Sequence, residues 1–597
     1  MSQKKSQDRL KELVSKSPLF KGLQKKTINQ LLQKLETQKI VSGETLFEEN
    51  AEGKALYIIV SGRVSIHVTI VKKGIPQQRI VGYLGRGEVV GEMSLITGEP
   101  RSATLKAVRD TSLLRLTRAD FETLFMEDPL AMKRLMAILV KRLKETTHAT
   151  APTKKATAFM LYPFEKNDIF QDFLKSFTDL FAQQKSIRLI NRQEALQALN
   201  IKKIIPNCGL SSWLSDQEEK VDVIFYLADE TDALWTDICT RQSDSILYVG
   251  QGSVTPPEMP LDLPSDVPRE LVLLHSDPAS LPIKTKEWID RLPSCRCHHL
   301  RPHDPGDIAR LVRILTGGAI GVVMGGGGAR GFAHIGALKA FDEIGIPIDM
   351  IGGTSMGALV SASRALGWST SKTTEIFREF FLESGGLQEY TVPVFSLIRG
   401  QKIKEALTKL VSQTAIEDLW LPYFCVSTDL TNAEKVLHKQ GPLLEGLLSS
   451  FAIPGVLPPV LKEGHILVDG AFLDNLPIKT MRETCPGSVI ALNVSPLEDA
   501  SVQTTCQNLP APTRTLFDKL NPFSTKEIPP GIISILMRAT TIGSVHQLES
   551  LKQEVDLFIE PPISHFSLMD WEKIDDIIET GYRETLQKLT VWQTEQS

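Results

Sequence analysis

The chain has 597 residues, 67 Lys plus Arg against 71 Asp plus Glu, and a formal net charge of −4. Its 42% hydrophobic and 23% charged residues are ordinary globular values, which excludes collagen-like, coiled-coil and wholly disordered chains. The length predicts three or four folded units, and the near-neutral charge excludes a protein held on nucleic acid or anionic lipid by bulk electrostatics.

Seven cysteines (Cys208, Cys239, Cys295, Cys297, Cys425, Cys485 and Cys506) are few, odd in number and scattered, unlike a disulfide-stapled secreted fold. The first residues carry no apolar core of a signal peptide, and no run of about 18 apolar residues predicts a membrane-spanning helix. A cytoplasmic, multidomain protein is expected, with no metal, no catalytic cofactor and no nucleic-acid partner.

Residues 10–146 alternate short apolar runs, such as 56–60 and 64–68, with turn residues at Ser42-Gly43-Glu44, Ser61-Gly62-Arg63 and Leu84-Gly85-Arg86-Gly87. That pattern predicts antiparallel strands, closed by a helix over 130–143. Within it, Gly91-Glu92-Met93-Ser94 is followed by Pro100-Arg101-Ser102-Ala103-Thr104. The block resembles cyclic-nucleotide-binding domains, a β-roll with helices. A cyclic phosphate monoanion suits an Arg fork and helix-end amides, and a ribose hydroxyl suits a carboxylate. The resemblance assigns Arg101 to the phosphate and Glu92 to the ribose, with further contacts from Gly91 and Ser102, and implies cAMP or cGMP as a regulatory ligand. The competing reading is a roll that kept its fold and lost its ligand. A DNA-binding regulator of the catabolite-activator type is disfavoured, because a polar linker (147–156), not a helix-turn-helix, follows.

Residues 157–312 alternate apolar runs (187–190, 221–227, 246–249, 271–274) with helix-length polar segments, predicting a parallel α/β sheet like that of nucleotide-binding proteins. The turn Pro163-Phe164-Glu165-Lys166-Asn167 lacks a phosphate loop, so a degenerate, bracing domain is expected. Cys295-Arg296-Cys297-His298-His299 hints at metal, but no second ligand pair follows and chance clustering is favoured.

Residues 316–592 form a third α/β block, with strands expected at 319–324, 348–351, 424–427, 465–468 and 489–493 and a helix over 571–589. The stretch 496–530 reads as a long loop. After the strand at 319–324 comes Gly325-Gly326-Gly327-Gly328-Ala329-Arg330-Gly331. Glycines at a strand-to-helix turn let several amides face one anion, as a phosphate cradle or an oxyanion hole. A Walker loop is excluded by the missing Gly-Lys-Ser/Thr. The next unit carries Gly353-Thr354-Ser355-Met356-Gly357 before a helix over 358–366, the strand–turn–helix setting of a nucleophile elbow, and this favours the oxyanion hole. Further on, 466–468 deliver Asp469 into Gly470-Ala471, which as a bare Asp-Gly is also an ordinary turn.

Together these motifs resemble the patatin-like phospholipases, with the nearest likeness to the neuropathy-target-esterase branch. Asn475-Leu476-Pro477, the stretch 452–459 and, upstream, Ser211-Ser212-Trp213-Leu214 share it. The resemblance implies a Ser355–Asp469 dyad, an oxyanion hole from the amides of Gly326, Gly327, Gly328 and Met356, and hydrolysis of (lyso)phospholipid acyl esters. Arg330 is read as a brace of the Gly loop in preference to a phosphate ligand. His334 and His465 are read as packing or surface residues in preference to a third catalytic member. A serine peptidase and a catalytically silent nucleotide-sensing scaffold are the alternatives. The segments 419–424 and 392–395 are expected to pack in the core, and 510–537 is a candidate lipid-contacting flap. Membrane contact is expected to be transient and peripheral; a homo-oligomer is left open.

Overall fold

A computed structural model describes residues 25–72, 75–126, 157–205, 210–218, 220–229, 231–257, 267–276, 280–293, 295–383, 389–411, 413–495, 548 and 550–596. The expected helix over 130–143, the interdomain linker and the stretch 496–537 lie outside them. The chain divides into two compact units, residues 1–276 with 287–317, and residues 277–286 with 318–597. No helix among the described residues is long and apolar enough to cross a membrane.

The first unit opens with a β-roll. Strands β1 (Glu36–Ile40), β2 (Thr45–Phe47), β3 (Ala55–Lys72), β4 (Ile75–Gly85), β5 (Val89–Val90) and β6 (Thr104–Thr117) are ordered β1-β6-β3-β4, with β2 beside β6 and β5 beside β3. Alternation sends Leu56, Ile58, Leu114 and Leu116 into one core and Ile59, Val64 and Leu113 into another. The expected break at Ser61-Gly62-Arg63 is corrected: β3 runs on for 18 residues. Its register against β6 shifts between Ile59 and Val64. Gly62, at φ 97°, makes the bend, and a Cβ there would lie 2.3 Å from Thr111 Oγ1. The glycine marks a bulge inside a strand, which sequence alone reads as a turn. A short helix, α1 (Glu92–Thr97), follows β5.

The same unit continues as a parallel sheet of β7 (Ala158–Pro163), β8 (Ile187–Ile190), β9 (Val223–Leu227), β10 (Ser245–Gln251), β11 (Arg269–Leu274) and β12 (Arg296–Leu300), ordered β12-β11-β10-β7-β9-β8. Helix α2 (Asp168–Ala182) buries Phe170, Phe173, Phe177 and Phe181 at helical spacing against Phe225 and its neighbours. In open sheets of this kind ligands bind where the strand order reverses, here between β7 and β10. That crevice is filled: Phe164 stacks 6.0 Å from Tyr248 and lies edge-on 5.1 Å from Trp288. Gly250 is needed so that β10 can pass the Trp288 ring, which a Cβ would approach to 2.4 Å. After β7, Asn167 caps α2 by accepting the Phe170 N–H, and no glycine loop stands there. The cluster Cys295–His299 lies largely on β12, where His298 pairs with Glu270 at 2.8 Å and His299 with His275 at 2.9 Å. Among the described residues no group of three or more His, Cys, Asp or Glu is placed to hold a metal ion.

The roll docks on this sheet through β6. Val108 joins the sheet's apolar core. The neighbouring Arg109 guanidinium donates to Glu218 Oε2 and to the Gln242 carbonyl, each at 2.9 Å, and lies 3.0 Å from Asp244. Burial alone would raise the Asp244 carboxyl, but Arg109 and Arg63 hold it below the usual range.

The second unit is a mixed sheet of β13 (Ile320–Met324), β14 (Met350–Thr354), β15 (Tyr423–Asp429), β16 (Glu434–His438), β17 (Val460–Lys462), β18 (His465–Asp469), β19 (Ser488–Leu492) and β20 (Leu557–Ile559). The order is β17-β18-β15-β14-β13-β19-β20, with β16 also on β15. The centre is parallel and nearly all apolar, as expected where helices cover both faces. The main helices at the site are α3 (Ala333–Ile344), α4 (Met356–Ala365) and α5 (Leu443–Phe451), with α6 (Ile574–Gln596) packed on α3. Strand β14 starts two residues later than the expected 348–351. Just before it, the Asp349 N–H donates to the Ile320 carbonyl at 2.8 Å and its side chain accepts the Ile320 N–H at 2.9 Å.

Candidate active site

Three strand ends meet at one place. Strand β14 ends in Ser355, the turn residue between strand and α4, held at φ 56°, ψ −124°. A non-glycine residue at positive φ costs energy and persists where its surroundings fix it. The surroundings here are tight. A Cβ on Gly353 would lie 2.4 Å, and one on Gly357 2.3 Å, from the Met324 carbonyl at the end of β13. The G-x-S-x-G spacing therefore follows from two close backbone approaches that project the serine side chain.

Asp469 ends β18, beside β15. Its Oδ1 accepts the Ala471 N–H at 2.8 Å and its Oδ2 accepts the Ser355 hydroxyl at 2.6 Å. Both residues are buried. Gly470 explains why this turn is Asp-Gly: a Cβ would stand 2.3 Å from the Val426 carbonyl. Burial pushes the Asp469 carboxyl up to about 7, against the pull of its hydrogen bonds from Ser355 and Ala471.

The Gly-rich turn joins β13 to α3. Gly326 packs so close to Ser355 that a Cβ on it would lie 2.9 Å from the serine Cβ. Its N–H, however, donates to Asn475 Oδ1 at 3.1 Å, and its carbonyl accepts from Ser495 Oγ at 2.7 Å. The amides of Gly327, Gly328 and Met356 donate to no described residue. Of the four amides singled out in the sequence, Gly326 is turned to Asn475, and the other three have no acceptor among the described residues.

Arg330 is buried, and its guanidinium donates to the carbonyls of Phe566 at 2.7 Å and Ser564 at 3.1 Å, tying the Gly turn to a distant loop as a brace would. His334 is wholly buried on α3, where Nε2–H donates to the Gly325 carbonyl at 2.8 Å. Burial pushes it down to about 4, so it is neutral at ordinary pH. His465 pairs with Asp429 at 2.8 Å. Neither histidine has a hydrogen bond to Ser355 or Asp469 among those described.

Two polar residues at the site escape a sequence reading. Ser450, on α5, accepts the Ser355 N–H at 2.9 Å, and Ser495 holds Gly326. Nothing in their local sequence marks them. Leu419, Trp420 and Leu421 are buried as expected. The expectation that 392–395 pack in the core is corrected: Val392, Val394 and Phe395 are among the most exposed apolar side chains described. Nothing packs over this loop in the described structure, and an apolar sequence cannot by itself tell burial from exposure.

In the β-roll, Gly91 takes φ 80° at the start of α1, and Glu92 and Arg101 are both buried. The Arg101 guanidinium donates to the Gly91 carbonyl at 2.7 Å, to Ser94 Oγ at 2.8 Å and to the Ala55 carbonyl at 2.7 Å, and lies 4.0 Å over the Phe47 ring. Ser102 is exposed beside this group. The structure therefore brings Gly91, Glu92 and Arg101 together, with Ser102 at the rim.

A serine on a strained strand-to-helix turn, bonded to an aspartate from a nearby strand, defines the second unit as an α/β fold of the nucleophile-elbow class. Residues 322–482 match the family model of patatin-like phospholipases, 37–128 that of the cyclic nucleotide-binding domain, and 168–304 that of the neuropathy target esterase family P-loop like domain. The chain thus carries a patatin-like phospholipase domain, preceded by a cyclic nucleotide-binding domain and a domain like that of the neuropathy target esterase family. It is 30% identical over 91% of its length to patatin-like phospholipase domain-containing protein 6 of Homo sapiens, covering 44% of that protein. It is 30% identical over 91% to neuropathy target esterase sws of Drosophila melanogaster, covering 42%, and 27% identical over 97% to lysophospholipase nte1 of Neurospora crassa, covering 44%. The chain thus spans less than half the length of these relatives.

Proposed function

We propose that the chain is a serine esterase of the (lyso)phospholipase type, working through Ser355 and Asp469 and tuned by a cyclic nucleotide at the β-roll. The observation that carries this reading is the 2.6 Å hydrogen bond from a hydroxyl on a strained elbow to a buried carboxyl poised at about 7. A base poised near the working pH is ionised often enough to act and still basic enough to take a proton. As Ser355 Oγ attacks an acyl carbonyl, its proton passes to Asp469. The negative charge that develops on the carbonyl oxygen is met by the amides of Gly327, Gly328 and Met356, each such donor being worth about 2.7–4 kcal/mol. Collapse breaks the ester bond, and the leaving alcohol takes the proton from Asp469. Water then attacks the acyl-serine with Asp469 again accepting the proton, which returns to Ser355 as the fatty acid leaves.

The names borne by the relatives, lysophospholipase among them, support the same substrate class. The cyclic nucleotide reading is supported by Arg101 and Glu92 gathered at the start of α1. The test is product analysis by mass spectrometry on mixed phospholipids and lysophospholipids, with and without cAMP or cGMP. Release of fatty acid by the native chain and not by Ser355→Ala is expected; equal release by both overturns the reading, and an inert native chain returns the protein to a sensing scaffold.

A further inference from the structure

Residues 390–398 read Tyr-Thr-Val-Pro-Val-Phe-Ser-Leu-Ile, nine residues without a charge. In the second unit they fold back as a small hairpin: Tyr390 bridges Ile398, the Thr391 N–H donates to the Leu397 carbonyl at 3.1 Å, and the Val394 N–H donates to the Val392 carbonyl at 2.8 Å. The base of the hairpin is buried at Ser396 and Ile398, while its tip is bare. Tyr390, Val392, Val394 and Phe395 are 71%, 77%, 72% and 80% exposed. Single exposed apolar residues need no explanation, but four side chains on one short loop form a patch of the kind that marks an interaction surface.

The hairpin is joined to the candidate active site by backbone bonds. The N–H groups of Leu397 and Ile398 donate to the carbonyls of Gly455 and Val456, each at 2.9 Å. The same segment begins at Ala452, whose carbonyl accepts the Asp469 N–H at 2.9 Å, and it follows directly on α5, which carries Ser450 at the Ser355 amide. One run of chain therefore holds the bare loop at one end and both members of the Ser–Asp pair at the other. On the rim beyond Asp469, Phe472 is also exposed.

We infer that the loop 390–395 is a wedge that seats the site on a phospholipid bilayer, entering the interface to the depth of its side chains. The choice of surface rests on the esterase reading, since the esters cleaved would lie in that bilayer. The chemistry of the loop fits shallow insertion. Its internal backbone bonds lower the cost of leaving water, and Tyr and Phe suit the boundary between headgroup and acyl chain. The adjoining charges, Arg399, Lys402 and Lys404 against Glu389 and Glu405, nearly cancel. Apolar burial, not attraction to anionic lipid, drives the contact, so zwitterionic vesicles suffice.

The experiment is flotation of the full chain with phosphatidylcholine vesicles, comparing the native sequence, Ser355→Ala, and the triple variant Val392→Ser, Val394→Ser, Phe395→Ser. Because the three side chains touch little, the triple variant should melt like the native chain and keep its turnover of a soluble p-nitrophenyl ester. Its flotation should fall at least tenfold, and Ser355→Ala should float like the native chain. Undiminished flotation of the triple variant, or no flotation of the native chain, overturns the inference. So does a concentration-dependent dimer that the triple variant abolishes while flotation stays, which would assign the patch to a second copy of this chain. A chain that floats through this loop yet cleaves no ester leaves the inference standing and sinks the esterase reading instead.

Discussion

Ser355 Oγ and Asp469 Oδ2 lie 2.6 Å apart although 114 residues separate them in the chain. Strands β14 and β18 are not direct neighbours; β15 lies between them, and each end residue reaches past it. On the proposed dyad, Ser355→Ala and Asp469→Asn each lower turnover of a short p-nitrophenyl ester by at least about 10³-fold, and the double variant is no worse than either alone, as for residues acting as one unit. Steady-state kinetics on the three variants check this. Additive losses would mean that the two side chains do not act together.

The Asp469 carboxyl gives a pH dependence with a definite sign. It must be ionised to take the serine proton, so turnover should rise through about pH 7 as a single ionisation and then level off. Stability runs the other way. An unfolded Asp titrates near 3.8 and the folded one near 7, so between those values the folded chain keeps a proton that the unfolded chain has released. This group's contribution to stability therefore falls as pH rises through that window. Asp469→Asn removes the buried charge and should raise stability relative to the native chain above pH 7, by about 4 kcal/mol at most, with little effect near pH 4. Urea unfolding of both proteins at the two extremes measures the difference; equal effects at both would place the carboxyl's folded pKa near its ordinary value.

Ser450 is expected to position the nucleophile. It accepts the Ser355 N–H at 2.9 Å. Ser450→Ala leaves that buried N–H without its acceptor, a loss of about 1–3 kcal/mol in stability. The elbow would then relax, so kcat should fall about tenfold with KM nearly constant, and Ser450→Thr, which keeps the oxygen, should restore most of it. A kinetic comparison of the two variants decides; a change in KM alone would make Ser450 a substrate contact.

What the sequence revealed at this site, and what it hid, divides by range. Ser355 and Asp469 were legible because each sits in a turn whose glycines are forced by a nearby carbonyl, and that force leaves a local spelling. Ser450 and Ser495 act on residues 95 and 169 positions away, and no local pattern records such a partner. The parallel order of the central strands followed from the alternation of apolar runs with helices. The bulge at Gly62 did not, since glycine signals a break in a strand as readily as a bend within one. Nor did the bare loop at 392–395, because hydropathy is the same inside a core and on an exposed loop. In the middle sheet the missing glycine loop was visible, but the aromatic plug of Phe164, Tyr248 and Trp288 needs the three dimensions to be seen.

In the β-roll the same guanidinium that should meet a cyclic phosphate is held by the Gly91 and Ala55 carbonyls and by Ser94 Oγ. A bound phosphate would add a charge-assisted bond in place of a neutral one, which favours the ligand. Calorimetry with cAMP and cGMP on the full chain should show binding of at least one. Arg101→Ala should weaken it about 10- to 100-fold through the lost charged bonds, and Glu92→Gln should weaken it less. Ser102→Ala, at the exposed rim, should matter least. No heat with either nucleotide, and ester turnover indifferent to both, would reduce the roll to a scaffold. Where binding is found, linkage requires that a nucleotide able to change the affinity for substrate be bound more or less tightly, by the same factor, when substrate is present. Nucleotide titration of Ser355→Ala, with and without lysophospholipid, reads that factor without turnover to confuse it.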